Sequence, residues 1–211
     1  QLWKGTPEDL RAIHDLQYLT NFMSFKFPVP KEFSTQSKLP PALSDDALKA
    51  LGKAKKLRSI YLVRDSFTDT GLAQLAGCTE LQDLQLENTT LRGSGFHALS
   101  DLGLQSIIAR GGNVGTEEVD LTKMKKMIRV ILENTAGLPV LPPKFGSSVL
   151  HADIKPANRA TLDRLQQYEN LQYVLLGGPT LTDELLKHPV FHRTMLVHIA
   201  KADNVSNQGL V

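Results

Sequence analysis

The chain has 211 residues, of which 41% are hydrophobic and 22% charged, and its formal net charge at pH 7 is +2. This composition excludes an intrinsically disordered chain, and no apolar run approaches the roughly 18 residues that span a bilayer. The near balance of charges predicts neither nucleic acid nor a membrane as a partner. Cys78 is the only cysteine, so no intramolecular disulfide forms. A lone thiol slightly favours a cytoplasmic location and leaves open secretion after removal of a signal peptide.

Residues 1–43 follow no clear repeat. A first apolar group has the spacing of a helix and comprises Leu10, Ile13, Leu16 and Leu19. Residues 22–25 predict a first strand, and residues 27–41, which contain four prolines, predict a loop. We therefore expect residues 1–43 to form an N-terminal cap or an irregular first repeat.

From residue 44 onward one apolar pattern recurs about every 24 residues. Its anchor is a triplet of the form L-x-x-L-x-L, whose period-two end is typical of a short strand with alternate side chains buried. The triplets occupy residues 57–62, 81–86, 104–109, 127–132, 147–152 and 171–176. If Ala200 is a further anchor, Leu210 stands ten residues after it, in an apolar column described below, and His198 would point inward.

Two further apolar columns keep the same phase. Five residues after the triplets stand Phe67, Leu91, Val114 and Leu181. Ten residues after them stand Leu72, Phe96, Val119, Leu162 and Leu186, with Pro142 as the exception. Three columns in phase indicate a repeat rather than a chance distribution of leucine.

Helix starts follow several triplets. Thr68 is a candidate N-cap, and Asp69 lies favourably near the positive end of the helix. The same signal occurs at residues 116–118 and 182–184, and residues 44–46 open one more helix. A strand and a helix cannot bury their apolar faces alone, whereas stacked neighbours can. Residues 137–143 contain three prolines, so we expect an extended crossing there, which leaves the register of the next strand open.

This frame resembles the leucine-rich repeat family over residues 44–133 and 160–192. The segment FTDTGLAQLAGCTELQDLQLENTTL (67–91) looks like the bacterial and ribonuclease-inhibitor-like variants with a T-D-x-G-L step. The resemblance implies an α/β leucine-rich repeat solenoid, with a curved parallel sheet on the concave face, helices on the convex face and partner binding as its usual work. It implies an array of about seven repeats over residues 44–211, irregular near 134–159.

The residues between the anchors are expected to point out of the concave face in three outward columns. The first outward column is Ser59, Asp83, Ser106, Arg129, Val149 and Tyr173. The second is Tyr61, Gln85, Ile108, Ile131, His151 and Leu175. The third is Val63, Glu87, Arg110, Glu133, Asp153 and Gly177.

The second outward column is rich in apolar residues and has charged neighbours, a combination typical of protein interfaces. The predicted partner-binding residues are Tyr61, Gln85, Ile108, Arg110, Arg129, Ile131, His151, Tyr173 and Leu175. The alternative is that these residues favour sheet formation or are covered by additional repeats.

One segment suggests chemistry. Residues 151–158, HADIKPAN, resemble the catalytic loop of protein kinases, which implies a proton-accepting Asp153 and a magnesium-binding Asn158. The chain lacks the G-x-G-x-x-G and D-F-G segments that such chemistry requires, so we expect a local coincidence. His188 and His192 have metal-ligand spacing, but Pro189 lies between them and no third ligand is evident, so surface or capping roles are favoured.

Cys78 is expected to be a small buried residue rather than a nucleophile. The basic clusters 49–58 and 123–129 are expected to follow convex helices, where positive charge complements the helix dipole, rather than to bind phosphate. We therefore predict a non-enzymatic interaction module without cofactor or metal, binding a protein or peptide on the concave face. The alternatives are a target-recruiting part of a larger enzyme or ligase assembly, and a structural surface protein without a discrete ligand.

Overall fold

A computed structural model describes residues 2–3, 18–24, 43–63, 66–114, 119–135, 140–142, 149–154, 158–168, 171, 173–177, 180–192, 194, 196–200 and 202–207. Within these residues the fold is mixed α/β and is built on a nine-stranded sheet whose neighbouring strands are all parallel. The sheet strands, in spatial order, are β1 (Leu2–Trp3), β2 (Asn21–Ser24), β3 (Ser59–Val63), β4 (Asp83–Glu87), β6 (Ser106–Arg110), β8 (Arg129–Thr135), β9 (Val149–Ile154), β10 (Tyr173–Gly177) and β11 (Leu196–Ala200). Two short strands, β5 (Thr90–Leu91) and β7 (Asn113–Val114), pair with each other.

The nine strands of the large sheet are adjacent in the order in which they follow one another along the chain. The two short strands β5 and β7 lie outside this sheet. Ile60 pairs with Leu84, Leu84 with Ile107, and Ile107 with Val130, which gives steps of 24, 23 and 23 residues. Val130 then pairs with Leu150, a step of 20 residues. The strands predicted from the apolar triplets are therefore confirmed, and β1 is an additional strand that the pattern did not predict.

The core lies on one side of this sheet. From β3 to β10, the strand anchors whose side chains are described are buried: Ile60, Leu62, Leu84, Leu86, Ile107, Ala109, Val130, Leu132, Val174 and Leu176. The two columns that follow the triplets pack into the same cluster, and Leu186 at the C-terminal end is only partly buried. The predicted inside-outside alternation is thus confirmed for these anchors.

Short helices return the chain between strands. The α-helices are α1 (Asp45–Leu51), α2 (Asp69–Ala73), α3 (Arg159–Gln166) and α4 (Asp183–Leu186), and the 3₁₀ helices are Gln74–Gly77, Ser94–Leu99 and Pro189–His192. The predicted N-caps Thr68 and Thr182 each accept a hydrogen bond from a backbone N–H of the first turn. Residues 116–118 lie outside the described residues. None of the described helices has the length and apolarity that crossing a membrane requires.

Aspartates at helix starts link successive turns of the chain. The carboxylate of Asp45 accepts hydrogen bonds from the backbone N–H and the hydroxyl of Thr68, at 2.6 and 2.7 Å. The carboxylate of Asp69 accepts from the backbone N–H groups of Arg92, Gly93 and Gly95, at 2.7 to 3.0 Å. Charged acceptors make the stronger class of hydrogen bond, so these aspartates fix the distance between turns as well as favouring their own helices.

The segment before β9 is built differently. Residues 119–135 and 140–142 contain no helix, and Asp120 instead forms a parallel bridge with Val140. The expected extended crossing is confirmed at residues 140–142, where the Leu141 N–H donates to the Tyr168 hydroxyl at 3.2 Å. Residues 119–122, before the basic cluster 123–129, contain no helix, and the helix start predicted at 116–118 lies outside the described residues.

The register at the C-terminal strands also differs from the predicted frame. Leu175 pairs with Asp153 rather than with His151, because the step between β9 and β10 is two residues shorter than the frame assumed. A shift of two residues keeps every side chain on its own face. Leu176 pairs with Ile199, so Ile199 replaces Ala200 as the anchor and His198 is exposed rather than inward.

Candidate functional site

The outer sheet face is the side of the sheet that faces away from the core. It carries the three outward columns. The first and second columns keep a regular register from β3 to β9, whereas the third is interrupted between β8 and β9, where the register shifts between Leu132 and Thr135. In the second column Tyr61 pairs with Gln85, Gln85 with Ile108, Ile108 with Ile131, and Ile131 with His151. Tyr61, Gln85 and Ile108 are half-buried, whereas the anchors that alternate with them are buried. Five neighbouring strands therefore present this column side by side.

A polar group lies at one end of the outer sheet face. The Tyr61 hydroxyl donates a hydrogen bond to the Glu87 carboxylate, and Glu87 pairs in register with Arg110. Burial, followed by the hydrogen bond and the negative charge of Glu87, raises the pKa of Tyr61 to about 12. The phenol therefore stays neutral and keeps its hydrogen bond at every physiological pH. The Asn88 side-chain amide donates to the other oxygen of Glu87 at 3.5 Å.

This polar group orients side chains rather than activating them. A neutral tyrosine tied to a carboxylate presents a fixed aromatic ring, which suits recognition of a partner surface. Arg110 is exposed beside this polar group on β6, and the predicted residue Arg129 is exposed on β8, the next strand of the sheet. Guanidinium groups at these positions can pair with carboxylates of a partner in a two-point geometry.

One predicted contact residue offers little surface. Ile131 is only 7% exposed, although it does not belong to the core cluster. It lies in the interior of the sheet with a paired strand on each side, Ile108 on one and the backbone of His151 on the other. The expectation of an exposed Ile131 is therefore wrong, and Ile131 differs in this from Ile108, which has the same kind of neighbours and is half-buried. Val63 and Ser106, also outward residues, are buried as well.

Three predicted contact residues have a described backbone alone. His151 lies on β9, and Tyr173 and Leu175 lie on β10. Their side chains fall outside the described part of the chain. His151 aligns with the second column as expected, whereas Leu175 pairs with Asp153 and so belongs to the third column rather than the second.

The repeat pattern missed two residues of the outer sheet face. Met23 pairs with Tyr61 and is 37% exposed, and Leu196 pairs with Tyr173 and is 56% exposed. Met23 precedes the clear repeats, and Leu196 was hidden because the frame placed the last anchor at Ala200. Period-two alternation in Phe22-Met23-Ser24 and in Leu196–Ala200 is the signal that could have found them.

The residues considered for catalysis have structural partners. Burial raises the pKa of the Cys78 thiol to about 12, and its Sγ donates to the Leu51 carbonyl at 3.3 Å, so the expectation of a buried thiol is confirmed. Asn158, from the segment that resembles a kinase loop, caps α3 by accepting a hydrogen bond from the Thr161 N–H. Both Cys78 and Asn158 are thus engaged in holding local structure.

His188 is buried rather than on the surface, and of the two expected roles it takes the capping one, at the start of the 3₁₀ helix Pro189–His192. Its Nε2 lies 3.0 Å from a carboxylate oxygen of Asp163, and its Nδ1 accepts the Val190 N–H at 3.3 Å. His192 is exposed on the following turn. Across the described residues no group of three or more histidine, cysteine or carboxylate side chains is placed to hold a metal ion. An open cavity of about 330 Å³ lies beside His188, lined by Arg159, Thr182, Glu184, Leu185, Lys187 and Pro189.

Comparison with known proteins adds no assignment. No protein-family model matches the chain, and no curated protein matches it either. The outer sheet face therefore has to be interpreted from its own residues and geometry.

Proposed function

We propose that the chain is a leucine-rich repeat solenoid with its sheet on the concave face, and that it binds a protein or peptide on the outer sheet face. Support for the solenoid comes from strands that follow chain order in steps near 23 residues, each returned by a short helix or an extended segment. Such stacking buries a continuous core while leaving one sheet face available to a ligand.

The observation that carries the binding proposal is the continuous second outward column. Met23, Tyr61, Gln85 and Ile108 lie on four adjacent strands and retain surface, while the residues that alternate with them are buried. At the usual strand spacing, the four strands from β2 to β6 span about 14 Å. An extended peptide of about four residues covers that distance.

The chemistry of the face favours a partner with mixed character. The ring of Tyr61 and the side chains of Met23 and Ile108 supply apolar contact, while the amide of Gln85 supplies hydrogen bonds. Arg110 and Arg129 supply positive charge at the border of the apolar residues. An extended peptide with an apolar centre and at least one carboxylate fits this arrangement.

The proposal is tested by selecting peptides from a displayed random library against the wild-type chain. The selected peptides are then measured against Ile108→Arg, in which a long charged side chain stands in the middle of the column. Ala98→Lys is the matched control, since Ala98 is exposed in the 3₁₀ helix Ser94–Leu99. We expect Ile108→Arg to weaken binding at least about tenfold, equivalent to roughly 1.4 kcal/mol. Equal affinity of both variants would show that the peptides bind elsewhere.

A further inference from the structure

The loops that enter the strands form a second surface, separate from the outer sheet face. The Thr20 carbonyl accepts the Arg58 N–H at 2.8 Å, and the Arg58 carbonyl accepts the Gln82 N–H at 2.9 Å. The series continues from Gln82 to Gln105 and from Gln105 to Ile128, both at 2.8 Å. These bonds stack the loops before β3, β4, β6 and β8 along one edge of the sheet. The loop before β3 and the loop before β8 are three strand spacings apart, which is about 14 Å at the usual distance between strands.

This edge carries a concentration of positive charge. We call it the basic edge, and it consists of the exposed residues Lys53, Lys55, Lys56, Arg58, Lys123, Lys125 and Lys126. The basic residues form two groups, one before β3 and one before β8. The loops between these groups, before β4 and before β6, contribute the carboxylates Glu80 and Asp101. Within the described residues, one ion pair of the basic edge is seen, between Arg58 Nε and Glu80 at 3.1 Å. The edge therefore has a large excess of positive charge in a chain whose net charge is +2.

A helix dipole does not account for both basic groups. The first group follows α1, whose C-terminal end attracts positive charge. The second group, Lys123–Lys126, follows residues 119–122, which contain no helix. Among the described residues, the Asp120 carboxylate interacts with the charge of Lys123, and no ion pair of Lys125 or Lys126 is seen, so solvent or a ligand compensates part of this positive charge.

Exposed apolar residues stand among these charges. Tyr18 is 66% exposed and Ile128 is 50% exposed, and they are two of the four large apolar residues that the described residues leave exposed. Ile128 belongs to the hydrogen-bonded series of the edge, and Tyr18 lies beside Lys56, whose ammonium is 5.3 Å from the ring centroid. Apolar side chains inside a charged surface are typical of protein interfaces.

The same residues disfavour nucleic acid. Single-stranded nucleic acid is bound by free aromatic faces on which bases stack, with cations along the backbone. Of the residues named on this edge, Tyr18 alone has an aromatic ring, one face of which lies near the Lys56 ammonium, and Ile128 has no face for stacking, so successive bases would not find a series of rings. An acidic polypeptide satisfies both the lysines and the apolar residues.

We propose that the basic edge binds an acidic protein segment that carries at least one apolar side chain, independently of whatever the outer sheet face binds. The carboxylates of the segment lie against the two lysine groups, and its apolar residue contacts Ile128. Complementary charge of this kind speeds association and makes binding sensitive to salt.

The test uses a fluorescent peptide of glutamates with a leucine at every fourth position, measured by anisotropy at low salt. The triple variant K123E/K125E/K126E reverses one lysine group. The control R92E/R159E/K187E makes the same change in net charge at exposed positions off the edge. Circular dichroism checks that both variants are folded, and K123Q/K125Q/K126Q replaces the first variant if it is not.

We expect the lysine variant to weaken peptide binding at least about tenfold and the control to weaken it less than about twofold. Ile128→Ser should weaken binding by a smaller factor, whereas Ile108→Arg on the outer sheet face should leave it unchanged. Three results would overturn the proposal: no binding of the peptide by the wild-type chain, equal loss in the lysine variant and the control, or oligothymidylate bound more tightly than the peptide.

Discussion

The turns between residues 43 and 114 and the segment from 119 to 142 solve the same problem in different ways. In the first region, Asp45 and Asp69 tie each helix start to the backbone of the next turn. Gly71 and Gly95 make this possible, since a Cβ at either position would overlap Asp45 or Asp69. In the second region the described residues contain no helix, Asp120 forms a parallel bridge with Val140, and the step from β8 to β9 falls to 20 residues.

The comparison teaches that leucines alone do not set the geometry of a turn. Both regions bury their anchors completely, as Leu84 and Val130 illustrate. What differs is the pairing of an aspartate at the helix start with a glycine in the following turn. The feature partly returns near the C-terminus, where the Asp183 carboxylate accepts from the backbone N–H and hydroxyl of Ser206, at 2.7 and 2.6 Å.

The largest expected effect comes from equivalent leucines in the first region and in the C-terminal turn, which has only part of the aspartate link. Leu72 is fully buried and Leu186 is partly buried at the same position of the repeat. Leu72→Ala should lower the free energy of unfolding by about 3 kcal/mol, since it removes packed methyl groups and leaves a cavity. Leu186→Ala should cost about 1 kcal/mol, since less surface is buried there. Guanidinium denaturation followed by circular dichroism measures both, and equal losses would contradict the difference between the turns.

A smaller effect is expected from the aspartate itself. Asp69→Ala leaves three backbone N–H groups without their acceptor, two of them in part-buried contacts, and should cost about 2 kcal/mol. Asp46→Ala is the control, because Asp46 is exposed in the first turn of α1, and it should change stability by less than about 0.5 kcal/mol. Matching losses from the two variants would mean that the link between turns contributes nothing.

Acid should weaken the C-terminal link selectively. Hydrogen bonds from Ser206 hold the pKa of Asp183 below its usual 3.8 in the folded chain. A carboxyl with a lowered folded pKa adds stability above its unfolded pKa and loses it as pH falls through the folded value. The Asp183 side-chain signal in a carboxyl-detected NMR titration should therefore titrate below 3.8, and Ser206→Ala should return its pKa toward 3.8. A normal pKa in the wild-type chain would show that this contact does not persist in solution.

The smallest effect is a change in thiol labelling. Cys78 is buried in the first region, and its pKa is raised to about 12, so labelling requires local opening. Leu72→Ala should speed labelling of Cys78, whereas Leu186→Ala should leave the rate near that of the wild-type chain. A common acceleration by both variants, read by mass spectrometry, would indicate one cooperative unit without separate regions.

The sequence predicted the strands because leucines in phase specify both a period of two and the side that is buried. It did not predict β1, since two residues carry no periodicity. The helix after Gly93 is a short 3₁₀ helix, Ser94–Leu99, and apolar spacing does not distinguish that form from an α-helix. The two-residue shift at Leu175 escaped prediction because it keeps the faces unchanged.

The candidate site was predictable in its centre and less so at its ends. Tyr61, Gln85 and Ile108 lie as the frame predicts, because register among regular turns follows directly from the repeat length. Ile131 is covered whereas Ile108 is half-buried, a difference that alternation along a single strand does not reveal. The contact of Tyr61 with Glu87 joins two outward columns and also requires the structure.

The most direct test of the central claim is site-specific photo-crosslinking on the outer sheet face. A photoreactive amino acid is placed at Gln85, in the second outward column, or at Ala98 in the 3₁₀ helix Ser94–Leu99, and each protein is irradiated with the selected peptide. We predict a covalent adduct from position 85, lost on competition with unlabelled peptide, and none from position 98. An adduct from position 98 with none from position 85 would contradict binding on the outer sheet face.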